Sequence, residues 1–189
     1  DKEQVSNVIS DILVGSGYNE MLSNSLTKAS YYPGKEDSLV TMKNPLSQDL
    51  NVLRQSMLYN GLETIVYNQN RKSADLKLFE WGMTYLKKGN KFKQSEHLVI
   101  YLSGRKELEN WNSSGDEVDF YDIKGMVNLI IERLGLTAYK FQSNETALAE
   151  FEYGLCYTVN DLPVVDFGKV KAASVKSFDI EHDVQYQTI

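Results

Sequence analysis

The chain has 189 residues, 42% of them hydrophobic, with a formal net charge of −6 and one cysteine. That length fits a single module, residues 1–189, with a core large enough to fold without staples. Cys156 excludes an internal disulfide, the lack of an apolar run approaching about 20 residues excludes a spanning helix, and the acidic balance argues against a surface that wraps nucleic acid.

Val5, Val8, Ile9, Ile12 and Leu13 recur at helical spacing and predict a first amphipathic helix, stopped by Gly15 and Gly17. Strands are expected near 20–26 and 39–43. Pro45 fixes its own φ and pushes Asn44 to an extended conformation, so the chain should turn within Asn44-Pro45-Leu46-Ser47. Ser47 is the expected N-cap of a long helix, with Asp49 near the positive end of its dipole. Leu58, Leu62, Ile65 and Val66 form the apolar stripe of that helix, which is either internal core or a partner interface.

Farther along, Phe79, Trp81, Met83 and Tyr85 should share one face of a strand, with Leu78, Glu80, Gly82 and Thr84 on the other. Lys88-Gly89-Asn90-Lys91 reads as a hairpin tip leading back through a buried strand at 98–102. Asp119 and Asp122 open a second long helix with the stripe Phe120, Ile123, Val127, Ile130, Ile131 and Leu134, ended by Gly135. Stretches 138–142, 151–159 and 164–170 read as strands, the last two joined by an Asn160-Asp161-Leu162-Pro163 turn. Strands separated by short turns predict an α+β fold, an antiparallel sheet flanked by helices.

Local chemistry points away from catalysis. Gly15-Ser16-Gly17 lacks the third glycine of a dinucleotide loop, and the acids Asp116, Glu117, Asp119 and Asp122 lack the glycine and distal glutamate of a calcium loop. His97, His182 and Cys156 have no zinc-like spacing and build no nucleophile–base pair. Glu80 is read as the ion-pair partner of Arg54 or Arg71, with a remnant of an active-site surface as the alternative. Lys87, Lys88, Lys91 and Lys93 are either a solvated tip or a contact for tRNA phosphates.

Six ordered runs carry a family resemblance: Gly17-Tyr18-Asn19-Glu20, Asn44-Pro45-Leu46-Ser47, Leu53-Arg54-Gln55-Ser56, Asn70-Arg71, Leu78-Phe79-Glu80-Trp81-Gly82 and Asp119-Phe120-Tyr121-Asp122-Ile123-Lys124-Gly125. Together they resemble the β subunit of bacterial phenylalanine–tRNA ligase, in its C-terminal catalytic-like module. Tyr59-Asn60-Gly61 stands where that family commonly carries Pro-Gly, and Lys171-Ala172-Ala173 replaces a family-typical His-Pro. The resemblance implies a class II aminoacyl-tRNA synthetase-like sheet that has lost the chemistry. It also implies an α-subunit partner that uses ATP, Mg and phenylalanine, a heterotetramer of two α and two β subunits, and tRNA bound through the holoenzyme; the single cysteine and the lack of a basic, then apolar N-terminal segment make a reducing cytoplasm the expected location.

The four arginines Arg54, Arg71, Arg105 and Arg133 agree with lost chemistry, because none lies in a Phe-Arg-x-Glu or Gly-x-Gly-x-Glu-Arg context that would clamp a triphosphate. No catalytic, cofactor-binding or metal residue is therefore assigned, and Asn44, Pro45, Leu46, Ser47, Arg54, Phe79, Glu80, Trp81 and Gly82 are read as structural. The alternative is a free-standing class II-like enzyme that binds an amino acid or adenylate. A chain beginning at Asp1 without a methionine and ending in a strand-like run is expected to be a piece of a longer subunit.

Overall fold

The computed structural model describes residues 1–45, 47–107, 111 and 115–189. Leu46 of the Asn44-Pro45-Leu46-Ser47 run lies outside the described residues. In chain order the elements are α1 (Lys2–Gly15), β1 (Asn19–Glu20), β2 (Leu26–Thr27), β3 (Val40–Thr41), β4 (Val52–Leu53), α2 (Leu58–Gln69), β5 (Leu76–Lys88) and β6 (Lys91–Ser103). They continue with α3 (Phe120–Arg133), β7 (Gln142–Glu145), β8 (Phe151–Val159), β9 (Leu162–Val170), α4 (Ala172–Ser177) and β10 (Val184–Thr188). Among the described residues these strands make a seven-stranded sheet in the order β1-β5-β6-β10-β9-β8-β7 and a small sheet in the order β2-β4-β3. Every pairing is antiparallel except β1 with β5.

Alternation along the central strands gives the large sheet two apolar faces. On one, Phe79, Leu98, Ile100, Leu102, Val165 and Phe167 pack under α1 and α3 through Ile9, Leu13, Ile123, Val127 and Ile130. On the other, Leu78, Val99, Tyr101, Val184 and Tyr186 pack under α2 and α4 through Leu58, Leu62, Ile65 and Val175. Burying side chains of this size is worth about 1.5–3 kcal/mol each relative to exposure, which is why helices on both faces hold the sheet. A third cluster of Tyr32, Leu39 and Val52 fills the small sheet.

Sequence and structure agree best where the signals are local. α1 ends at Gly15, with Gly17 at a positive φ, and α3 starts and stops at the predicted residues. Asp119 Oδ1 accepts from the backbone N–H of Tyr121 and Asp122, while Asp122 Oδ2 accepts from the Asp119 N–H, a complete capping box. Lys106 Nζ lies 2.9 Å from Asp119 Oδ2 and 3.1 Å from Asp122 Oδ2, so these two acids are paired with a cation.

Asp119→Ala is expected to cost about 1 kcal/mol of stability at neutral pH. The Lys106 contact and the two backbone N–H groups hold the Asp119 carboxyl below its ordinary value of 3.8. The stabilisation is therefore present above that pH and is lost as the pH falls through the lower folded value. Urea titrations should show the wild-type advantage at neutral pH and its disappearance in strong acid.

Four expectations need correction. Ser47 does not start the long helix: it precedes a single 3₁₀ turn, Gln48–Leu50, without a side-chain cap, and α2 begins at Leu58. Residues 52–53 are drawn into β4 by pairing with Leu26–Thr27 and Val40–Thr41, and the Ser56 hydroxyl, not Ser47, accepts the first α2 N–H, that of Leu58. The strand expected at 20–26 is two short bridges, because the Ser23 N–H turns to a carboxylate instead of a ladder. Residues 136–138 form a 3₁₀ turn and the strand there is Gln142–Glu145. Finally, the β8–β9 turn is only Asn160 and Asp161, both at positive φ, so Leu162 and Pro163 already belong to β9.

Candidate functional site

Two of the runs singled out in the sequence, Leu53-Arg54-Gln55-Ser56 and Leu78-Phe79-Glu80-Trp81-Gly82, meet in one buried cluster between the small sheet and the face of β5 that carries Glu80. Arg54, just after β4, is 2% exposed and Glu80 is 1% exposed. Arg54 Nη2 donates to Glu80 Oε1 at 3.2 Å, Nη1 to Ser23 Oγ at 2.6 Å and Nε to the Met83 carbonyl at 2.9 Å. Ser23 completes the carboxylate shell: its hydroxyl lies 2.9 and 2.7 Å from the two Glu80 oxygens, and its N–H donates to Oε1 at 3.2 Å. The Arg54 backbone is equally committed, its N–H to the Ser25 carbonyl and its C=O to the Tyr85 N–H. Glu80 therefore pairs with Arg54, not Arg71, which lies on the Tyr67 ring and donates to the Tyr67 carbonyl.

Two glycines make this packing possible. A Cβ on Gly82 would overlap Arg54 Nη2 and Met57 Cε, so only glycine lets the guanidinium lie across β5. A Cβ on Gly61 would overlap the ring of Tyr101, whose hydroxyl donates to the Met57 carbonyl at 2.7 Å. On the opposite face Phe79 is fully buried, and Trp81 Nε1 donates to Ser10 Oγ at 3.0 Å, tying β5 to α1. Asn44, Pro45 and Ser47 are exposed and contribute the turn alone. Ser23, Gly61 and Tyr101 belong to the cluster and escape a reading of the sequence, although Tyr59-Asn60-Gly61 marks the position of Gly61.

All three guanidinium nitrogens of Arg54 donate inside the protein, and with Glu80 and Ser23 as partners the cluster acts as a rivet between the two sheets. Arg105 lies 3.0 Å from Asp75, and Arg133 sits at the exposed end of α3.

The remaining candidates separate cleanly. Lys87, Lys88, Lys91 and Lys93 are all exposed at the β5–β6 tip. Lys88 faces Lys91 and Leu86 faces Lys93, which puts three lysines on one side of the ribbon, while Lys87 shares the other with Phe92, 70% exposed. Of the stripe expected as internal or interfacial, Leu58, Leu62 and Ile65 are 0–1% exposed within the chain's own core, and Val66 is partly buried against it.

His97 Nδ1–H donates to the Ile189 carbonyl at 2.9 Å, and burial, with Lys93 and Arg54 nearby, holds it below the ordinary imidazole value. His182 pairs with Glu117, and burial with the Asp166 charge pushes the Cys156 thiol up to about 11, far from a nucleophile. Among the described residues no group of three or more His, Cys, Asp or Glu is arranged to hold a metal, and no helix is long and apolar enough to cross a membrane.

A family model described as the phenylalanyl-tRNA synthetase β chain CLM domain matches residues 1–188. Among curated relatives, the phenylalanine–tRNA ligase β subunit of Bacteroides thetaiotaomicron is 36% identical over 97% of this chain and 24% of its own length. That of Porphyromonas gingivalis is 32% identical over 95% and 24%. The chain thus spans about a quarter of the length of the relatives it matches. Two structures of pyrrolysyl-tRNA synthetase from Desulfitobacterium hafniense share the fold at 11% identity, with TM-scores of 0.70 and 0.73, over 98% of this chain and 64% and 65% of theirs.

Proposed function

The chain belongs to the family of the phenylalanyl-tRNA synthetase β chain, in the part described as the CLM domain, and from that premise we propose that it is a non-catalytic, class II synthetase-like module. In this reading it assembles with an α subunit, in a cytoplasmic heterotetramer of two α and two β subunits, and helps position tRNA. ATP and Mg then act in the α subunit, where tRNA is charged with phenylalanine. The observation that carries the reading is the committed guanidinium of Arg54: three donated bonds and 2% exposure leave nothing to orient a triphosphate. Calorimetry of the chain with ATP-Mg and phenylalanine is expected to give no saturable heat. Micromolar binding would instead favour a free-standing enzyme, and failure to co-purify with an α subunit would sink the assembly role.

The lysine ribbon is the proposed tRNA-binding element. Four cations at one tip of a chain with net charge −6 form a local electrostatic footprint. Neutralising Lys87, Lys88, Lys91 and Lys93 together in the holoenzyme is expected to weaken tRNA binding modestly. The slope of log affinity against log salt should flatten by about one unit for each phosphate that is no longer neutralised. An unchanged slope would remove the ribbon from the interface.

A further inference from the structure

A notch of about 160 Å3 opens where the C-terminal end of α1, the N-terminal end of α3 and the first turns of β5 meet. Ser16, Tyr18, Lys77, Lys106, Asp122 and Met126 line it. It lies on the α1–α3 face of the sheet, across the sheet from the Arg54–Glu80 rivet.

Most polar groups around it are already committed. Ser16 Oγ donates to the Ile12 carbonyl at 2.8 Å, Lys106 bridges Asp119 and Asp122, and the N–H groups of Tyr121 and Asp122 are taken by the Asp119 carboxylate. Two donors are not. Tyr18 is 6% exposed, its ring belongs to the α1–α3 core, and among the described residues its hydroxyl has no hydrogen-bond partner. That hydroxyl is not one of the sealed, unpartnered oxygens of the core, so the little of Tyr18 that stays open faces the notch. Burial, with the Asp122 charge beside it, raises the phenol above its ordinary value and keeps it a donor at neutral pH. Lys77, opposite Leu102 on β5, is half-buried and makes no ion pair among the described residues.

We propose that this notch is a binding site for one small oxyanion, a phosphate group, held between the Lys77 ammonium and the Tyr18 hydroxyl. Lys106 is balanced by Asp119 and Asp122, so the charge in the lining left for a ligand to meet is the Lys77 ammonium, which calls for an anion. The volume is several times the roughly 30 Å3 that one water occupies, which admits a phosphate but no nucleoside attached inside. The phosphate could be free in solution or belong to a nucleic-acid backbone passing over the notch, and the chemistry of recognition is the same.

The test is a ³¹P NMR titration of inorganic phosphate into the full-length protein, with ionic strength held by chloride. Saturable binding in about the millimolar range is expected. Lys77→Gln should weaken it by about tenfold, as loss of a charge-assisted hydrogen bond does, and Tyr18→Phe, which keeps the ring packed, by a smaller factor. Lys35→Gln, at an exposed lysine in the loop before β3, should leave it unchanged. Thermal melting checks that each variant folds; should Lys77→Gln fail to fold, Tyr18→Phe carries the comparison. Displacement of bound phosphate by tRNA would assign the site to a backbone phosphate, and coexistence would assign it to the free ion. Linear, non-saturating broadening in the wild type, or equal affinity in both notch variants, overturns the proposal.

Discussion

Arg54→Met is expected to lower the unfolding free energy by about 3–5 kcal/mol, because it strands a buried carboxylate without its cation. Glu80 would keep only the bonds from Ser23, at 1% exposure, and the Met83 carbonyl would lose its donor. The double variant Arg54→Met/Glu80→Met should cost less than the single one, since no charge is then left in the dry interface. Urea denaturation followed by tryptophan fluorescence measures both. If Arg54→Met alone cost under about 1 kcal/mol, the rivet would not be what fastens the small sheet to β5.

Gly61→Ala provides a second large effect, with a sign opposite to helix propensity. An exposed helical glycine replaced by alanine stabilises by roughly 0.5–1 kcal/mol. Here the added methyl would overlap the Tyr101 ring, which is 0% exposed, anchored through its hydroxyl to the Met57 carbonyl and stacked on Tyr186 at 5.2 Å. Forcing α2 away from the sheet is expected to cost about 1–3 kcal/mol. On a Tyr101→Leu background the penalty should shrink, because the smaller side chain vacates the overlap. A fully additive double-mutant cycle would show that the strain lies elsewhere.

How much of the fold is legible in the sequence follows the range of the interactions. The capping box at Asp119, the two-residue reversal at Gly89-Asn90 and the stripes of α1 and α3 depend on neighbours within a few residues, and all are readable. The start of α2 is not. Ser47 has the residue type and extended backbone of a cap, but residues 52–53 gain more by pairing with strands up to 27 positions away than by continuing a helix. The Arg54–Glu80 pair can be anticipated because a buried carboxylate demands a cation. Ser23 cannot, since nothing local to it announces a partner 57 residues on. Nor can Tyr101 be foreseen as the reason for Gly61, an approach that exists only once a helix lies on a strand.

The position of β10 has its own consequence for how the molecule is made. Val184–Thr188 slots between β6 and β9, hydrogen-bonded to both, and its first four residues are almost wholly buried. A ribosome delivers those residues after every other strand of the sheet, so throughout synthesis the nascent chain carries two unpaired inner edges. Such edges are templates for pairing with a neighbouring chain. Chains halted before residue 184 should accumulate as aggregates or chaperone clients, whereas chains halted shortly after residue 188 should be able to close the sheet.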